Sequence, residues 1–167
     1  KAKTELILYP IGRPGTAYTI PDTVTSIEDG VFSGCDKLEA VTLGSSVVSI
    51  GANAFYGCAA LTGIELPQSV RSIGEYAFSG CNALAGTVTI PDGVSVISDG
   101  AFQECYDLTA VTLPDSVTAI GYGAFHYCVA LESVNIPDGV TVIGDHAFEQ
   151  CRVLTGVTIP DSVTSIG

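Results

Sequence analysis

The cysteines of this chain are Cys35, Cys58, Cys81, Cys105, Cys128 and Cys151, and their successive spacings are 23, 23, 24, 23 and 23. Its phenylalanines (Phe32, Phe55, Phe78, Phe102, Phe125 and Phe148) keep the same step, each three positions ahead of its cysteine. A fixed period of this length marks a repeat array. A unit so short cannot bury its own apolar face, so neighbouring units must stack and share one core. The single step of 24 comes from an extra residue near Gly86–Thr87, expected as a bulge or loop.

One unit, Leu108 to Cys128, reads LTAVTLPDSVTAIGYGAFHYC. Leu108, Val111 and Leu113 give the spacing L-x-x-V-x-L, and the last residues alternate inward and outward as in a short strand. Pro-Asp-Ser then opens a turn, because proline cannot donate into a continuing ladder. Val117 and Ile120 form the next apolar pair. Gly121 breaks the chain before YGAFHYC, a stretch suited to a single helical or 3-10 turn that returns it to the next strand.

The repeat also assigns the cysteines. A buried thiol behaves as a small hydrophobe, and six copies at one structural position cannot all be nucleophiles. No C-x2-C pair offers a zinc cluster. Stacked equivalents would lie about 5 Å apart, within disulfide range, but in-register neighbours project their sulfurs side by side. Buried free thiols are therefore expected, with oxidation of a pair left open.

Hydrophobic residues make up 47% of the 167 and charged residues 14%, which excludes a disordered chain. Eighteen acidic and six basic residues leave a net charge of −12. Phosphate backbones and anionic lipid repel such a chain, so neither nucleic acid nor a membrane surface is an expected partner. No apolar run reaches the ~18–20 residues that span a bilayer. The chain has no methionine and reads as a piece of something longer, with any targeting signal or anchor outside it.

IPDTVTSIEDGVFSGCDKL, LPQSVRSIGEYAFSGCNAL and IPDGVTVIGDHAFEQCRVL are similar to the BspA-like leucine-rich repeat. The likeness covers residues 18–167: six full units and the opening of a seventh. It implies an α/β-type repeat, a right-handed leucine-rich-repeat β-solenoid with a parallel sheet on one side and short helical or 3-10 turns on the other. It also implies a bacterial, sometimes protozoan, surface protein used in adhesion to host proteins or other cells. The family's repeat has no known catalytic residues to carry over. Residues 1–17 depart from the repeat. LILYP and AYTIP are two strand-proline segments set less than a full repeat apart, resembling a strand insert that acts as a partial cap.

Function in a solenoid belongs to the positions that stacking leaves free. The outward residues of the strand face are small, rich in hydroxyls and without aromatic anchors, which suits a nearly flat solvated face better than a tight interface. The turn side is richer. Tyr106, Tyr122, His126, Tyr127 and His146 fall in three successive units, where stacking would gather them into a patch able to contact a protein or carbohydrate. The two histidines are separated by less than a full repeat, so they need not be aligned.

Asp22, Asp92, Asp115, Asp138 and Asp161 share one turn slot. A calcium ion would relieve their repulsion, but aspartate in such a turn commonly caps its own backbone. Nothing supplies six converging oxygens, so no metal or cofactor is expected.

The reading is a non-enzymatic interaction module, a monomeric fragment of an extracellular or cell-surface adhesin. The alternative is a passive spacer in a larger surface protein. Six free thiols sit awkwardly with an oxidising compartment, a tension that burial or an anaerobic habitat would relieve.

Overall fold

The fold is taken from a computed structural model that describes residues 4–6, 8, 9 and 14–167. Ile7 and Pro10 of the expected first strand-proline segment lie outside the described residues. The strands are β1 (Glu5–Leu6), β2 (Ala17–Thr19), β3 (Ser26–Ile27), β4 (Ala40–Thr42), β5 (Ser49–Ile50), β6 (Ser72–Ile73), β7 (Gly86–Thr89), β8 (Val96–Ile97), β9 (Leu108–Thr112), β10 (Ala119–Ile120), β11 (Ser133–Asn135), β12 (Val142–Ile143) and β13 (Ser165–Ile166).

All pairings are parallel and join equivalent positions of successive coils, such as Ser26 to Ser49 to Ser72. They form two columns instead of the one expected. The longer strands give β2–β4 and β7–β9–β11; the shortest strands give β1–β3–β5–β6 and β8–β10–β12–β13. Between them, a backbone bond from Val24 to Pro21, and its equivalents in later coils, closes each proline turn.

The extra residue is a bulge. Gly86 pairs with Leu108 while Thr87 pairs with Ala110, and Gly86 takes a φ of 76°. The short-strand column breaks across the same coil, between β6 and β8.

No helix occurs among the described residues, so the third side differs from the expected helical turn. Alternate amides there have different partners. Ser33 and Cys35 donate locally to Gly30 and Phe32, while Gly30, Phe32 and Gly34 donate to Ala52, Ala54 and Tyr56 of the next coil. Amides committed along the solenoid axis cannot close a helical ladder. Two positions per coil hold a left-handed backbone. One is Gly30, Asn53, Tyr76, Gly100, Gly123, His146; the other is Gly34, Gly57, Gly80, Glu104, Tyr127, Gln150.

Inside, the phenylalanine rings form a single stack. Successive centroids from Phe32 to Phe148 are 4.8, 5.1, 5.3, 5.7 and 5.4 Å apart, with ring planes within 9° of parallel. Tyr9 and Tyr18 meet the first ring, Tyr9 at 4.9 Å from Phe32.

All six thiols are free, and only Cys151 is incompletely buried. Each thiol from Cys58 onward donates to the phenylalanine carbonyl of the coil before it, as Cys58 Sγ does to Phe32 O at 3.1 Å and Cys105 Sγ to Phe78 O at 3.3 Å. Sulfurs turned toward carbonyls are not turned toward one another. Burial pushes the thiols up, Cys151 to about 11 and Cys58 to about 12, so they stay neutral.

Candidate functional site

The turn side brings the predicted aromatic residues together, and the backbone explains how. Tyr127 and His146 occupy the two left-handed positions, with φ of 60° and 59°. Gly123 precedes His126 in its own coil, also left-handed. Tyr122 is held by its amide, which donates to Asp99 Oδ1 at 2.8 Å. Gly121 before it must be glycine, because a Cβ there would lie 2.4 Å from the same carboxylate oxygen.

Four of the five predicted residues share ring contacts. Tyr122 meets His146 edge-on at 5.4 Å, His126 meets Tyr127 edge-on at 4.5 Å, and the two imidazoles are 6.4 Å apart. A residue that the sequence reading did not select joins them. Glu149 Oε2 lies 2.7 Å from His146 Nδ1 and 3.3 Å from His126 Nε2. Its position was legible: Glu149 is one repeat beyond His126 and one turn beyond His146. A carboxylate shared by both rings explains why histidines out of step with the repeat still meet.

Tyr106 stands at the margin. Its hydroxyl donates to Glu104 Oε2 at 3.2 Å, and it sits above the ordinary phenol range through partial burial first and the Glu104 charge second. Tyr106, Tyr122 and Tyr127 are all exposed, Tyr122 by half of its surface. The cluster offers hydroxyls, imidazoles and a carboxylate beside ring faces, a composition suited to a polar macromolecular surface.

The other candidates differ. The strand face is less flat than expected, with an open groove of about 420 Å³ lined by Glu39–Leu43 and Thr62–Pro67. In the aspartate turn slot, Asp22 accepts from the Ser45 amide at 2.7 Å and the Ser45 hydroxyl at 3.0 Å, bonding across coils. Those bonds hold its carboxyl below the usual range. Among the described residues, no three His, Cys, Asp or Glu side chains form a metal-binding group.

The profile of the BspA type leucine rich repeat region matches six copies, over residues 15–129 and 84–167. The chain belongs to this family. Its solenoid superposes on a leucine-rich repeat protein from Bacteroides ovatus with a TM-score of 0.84 at 40% identity, covering 89% of this chain and 38% of that one. A leucine rich cell surface protein from Faecalibacterium prausnitzii gives 0.78 at 45% identity, over 86% and 38%. A leucine-rich repeat protein from Eubacterium ventriosum gives 0.80 at 34% identity, over 98% and 44%. The chain thus spans less than half the length of each of these relatives. No protein of curated function matches it. BspA-type repeats are generally interaction or structural modules, and the parallel-sheet solenoid that the resemblance implies is the fold observed.

Proposed function

We propose that this chain is a non-enzymatic protein-interaction segment of a bacterial cell-surface adhesin. Its binding patch is formed by Tyr106, Tyr122, His126, Tyr127 and His146, and its partner is a protein of the host matrix or of another cell. The observation that supports this most is the left-handed backbone at Tyr127 and His146. Such a conformation costs an L-residue about 1–2 kcal/mol, and glycine escapes the cost. Earlier coils often use glycine in these positions, as at Gly30, Gly34, Gly57 and Gly80. Bulky rings are placed where the fold itself prefers none, and they converge on one exposed surface. Strain of this kind collects at functional sites.

A surface location follows the F. prausnitzii relative, described as a cell surface protein. The array works as a monomer and carries no catalytic group. The test is binding of the purified array to immobilised extracellular-matrix and plasma proteins at physiological salt, beside a Tyr106→Ala, Tyr122→Ala, Tyr127→Ala variant. Saturable binding that the variant loses, with an unchanged melting temperature, supports the reading. A folded array that binds nothing moves the assignment to a passive spacer.

A further inference from the structure

A second aromatic pair occupies the same framework positions earlier in the array. Tyr56 directly follows Phe55, and Tyr76 stands two positions before Phe78, as His126 follows Phe125 and His146 precedes Phe148. In the later pair, Glu149 fills the space between the rings and Tyr127 packs on His126. The equivalent residues in the earlier pair are Ser79 and Gly57. A hydroxyl replaces the carboxylate and a hydrogen replaces the ring. What remains is an open hollow of about 320 Å³, lined by Tyr56, Tyr76, Ser79, Gln103 and Glu104, with Gly57 and Gly80 presenting bare backbone.

Ser79 marks this hollow as more than a gap. It is only 4% exposed, yet its hydroxyl makes no hydrogen bond to any described residue. Among the described residues no side-chain oxygen or nitrogen is both sealed from solvent and unpartnered, so the Ser79 oxygen is reached by solvent, and Ser79 lines the hollow. A ligand in the hollow would replace water as the partner of that hydroxyl. The other polar groups are tied in place with capacity to spare. Glu104 accepts from Gln103 Nε2 at 3.4 Å and from the Tyr106 hydroxyl at 3.2 Å, leaving lone pairs on both oxygens. Asn82, also in the lining, donates its amide nitrogen to the Gly80 and Glu104 carbonyls at 3.1 and 3.0 Å.

We propose that this hollow binds a neutral pyranose unit of a glycan. Sugar hydroxyls donate and accept at once, matching Ser79, Gln103 and Glu104. Tyr56, 48% exposed, offers a flat amphipathic ring for the C–H face of the sugar. No cation lines the hollow and Glu104 carries a negative charge, which turns away sialylated, sulfated and phosphorylated ligands. An apolar peptide side chain would strand the same polar groups without partners. This site adjoins the protein-binding patch through the Glu104–Tyr106 bond, but does not depend on that reading.

The test uses the intact array, titrated with oligomers of glucose, galactose, mannose and N-acetylglucosamine and followed by saturation-transfer NMR and calorimetry. Sialyllactose serves as the anionic control. At least one neutral oligomer should bind saturably, and the anionic sugar should bind at least about tenfold more weakly. Ser79→Glu, which puts a carboxylate where the later coil has Glu149, and Tyr56→Ala should each lose about tenfold or more in affinity. Tyr122→Ala, in the other patch, should bind the sugar as the parent does. Absence of saturable binding by every neutral oligomer overturns the proposal. Equal binding of sialyllactose, or undiminished binding by a folded Ser79→Glu variant, also overturns it.

Discussion

The Ser98 hydroxyl donates to the Ile73 carbonyl at 2.6 Å, in the coil where the short-strand ladder breaks. In four other coils a glycine amide makes this connection: Gly51 to Ile27, Gly74 to Ile50, Gly121 to Ile97 and Gly144 to Ile120, each at 2.8 Å. Those glycines are required by close approach, since a Cβ on Gly74 would lie 2.5 Å from the Ala52 amide. The bulge at Gly86–Thr87 lies in the same coil as Ser98, and there the serine side chain makes the bond to the coil before it.

Ser98→Ala should therefore destabilise the array by about 1 kcal/mol, the usual net worth of such a bond. Chemical denaturation measures it as a lower midpoint with an unchanged slope. A midpoint equal to the parent's would mean that the hydroxyl carries no share of coil-to-coil cohesion.

Phenylalanine truncations should depend on position. Phe102 is wholly buried between two stacked rings, whereas Phe148 is only partly buried at the end of the stack. Phe102→Ala should cost about 3–5 kcal/mol, and Phe148→Ala clearly less. In a quasi-one-dimensional array each ring stabilises only its neighbours. Equal losses at the two sites would contradict that additive picture.

The thiols predict a pH dependence. Folded values of about 11 for Cys151 and about 12 for Cys58 lie above the ~8.5 of an unfolded thiol. The unfolded chain thus releases these protons first as pH rises, and the stability they contribute is complete below about pH 8.5. It is lost progressively toward the folded values. Melting temperatures from pH 7 to 10.5 should fall more steeply for the parent than for Cys58→Ala. Parallel curves would show that these thiols titrate alike in both states.

How much of this was legible in the sequence depends on which atoms carry the constraint. Phe32 and its equivalents recur because a ring position tolerates little else, so side-chain identity exposes the stack. The bulge at Gly86–Thr87 was visible as one irregular step. The left-handed positions were not, because their requirement falls on the backbone: Gly, Asn, Tyr and His all occupy the first of them. The second strand column also escaped, since strands as short as Ser49–Ile50 cannot show alternation. Stacking the repeats gathers Tyr122, His126, Tyr127 and His146, whereas Glu149 carries no aromatic signal. One repeat added to His126 reaches it.

If the turn-side patch is a binding surface, its bulky residues hold left-handed positions for contact with a partner and not for folding. Tyr127→Gly separates the two roles. Glycine relieves about 1–2 kcal/mol of backbone strain while forfeiting about 0.5–1.5 kcal/mol of ring contact with His126. The melting temperature should then stay near the parent's while binding to immobilised matrix and plasma proteins is lost. A variant that melts far lower yet binds undiminished would contradict this and make Tyr127 a structural residue.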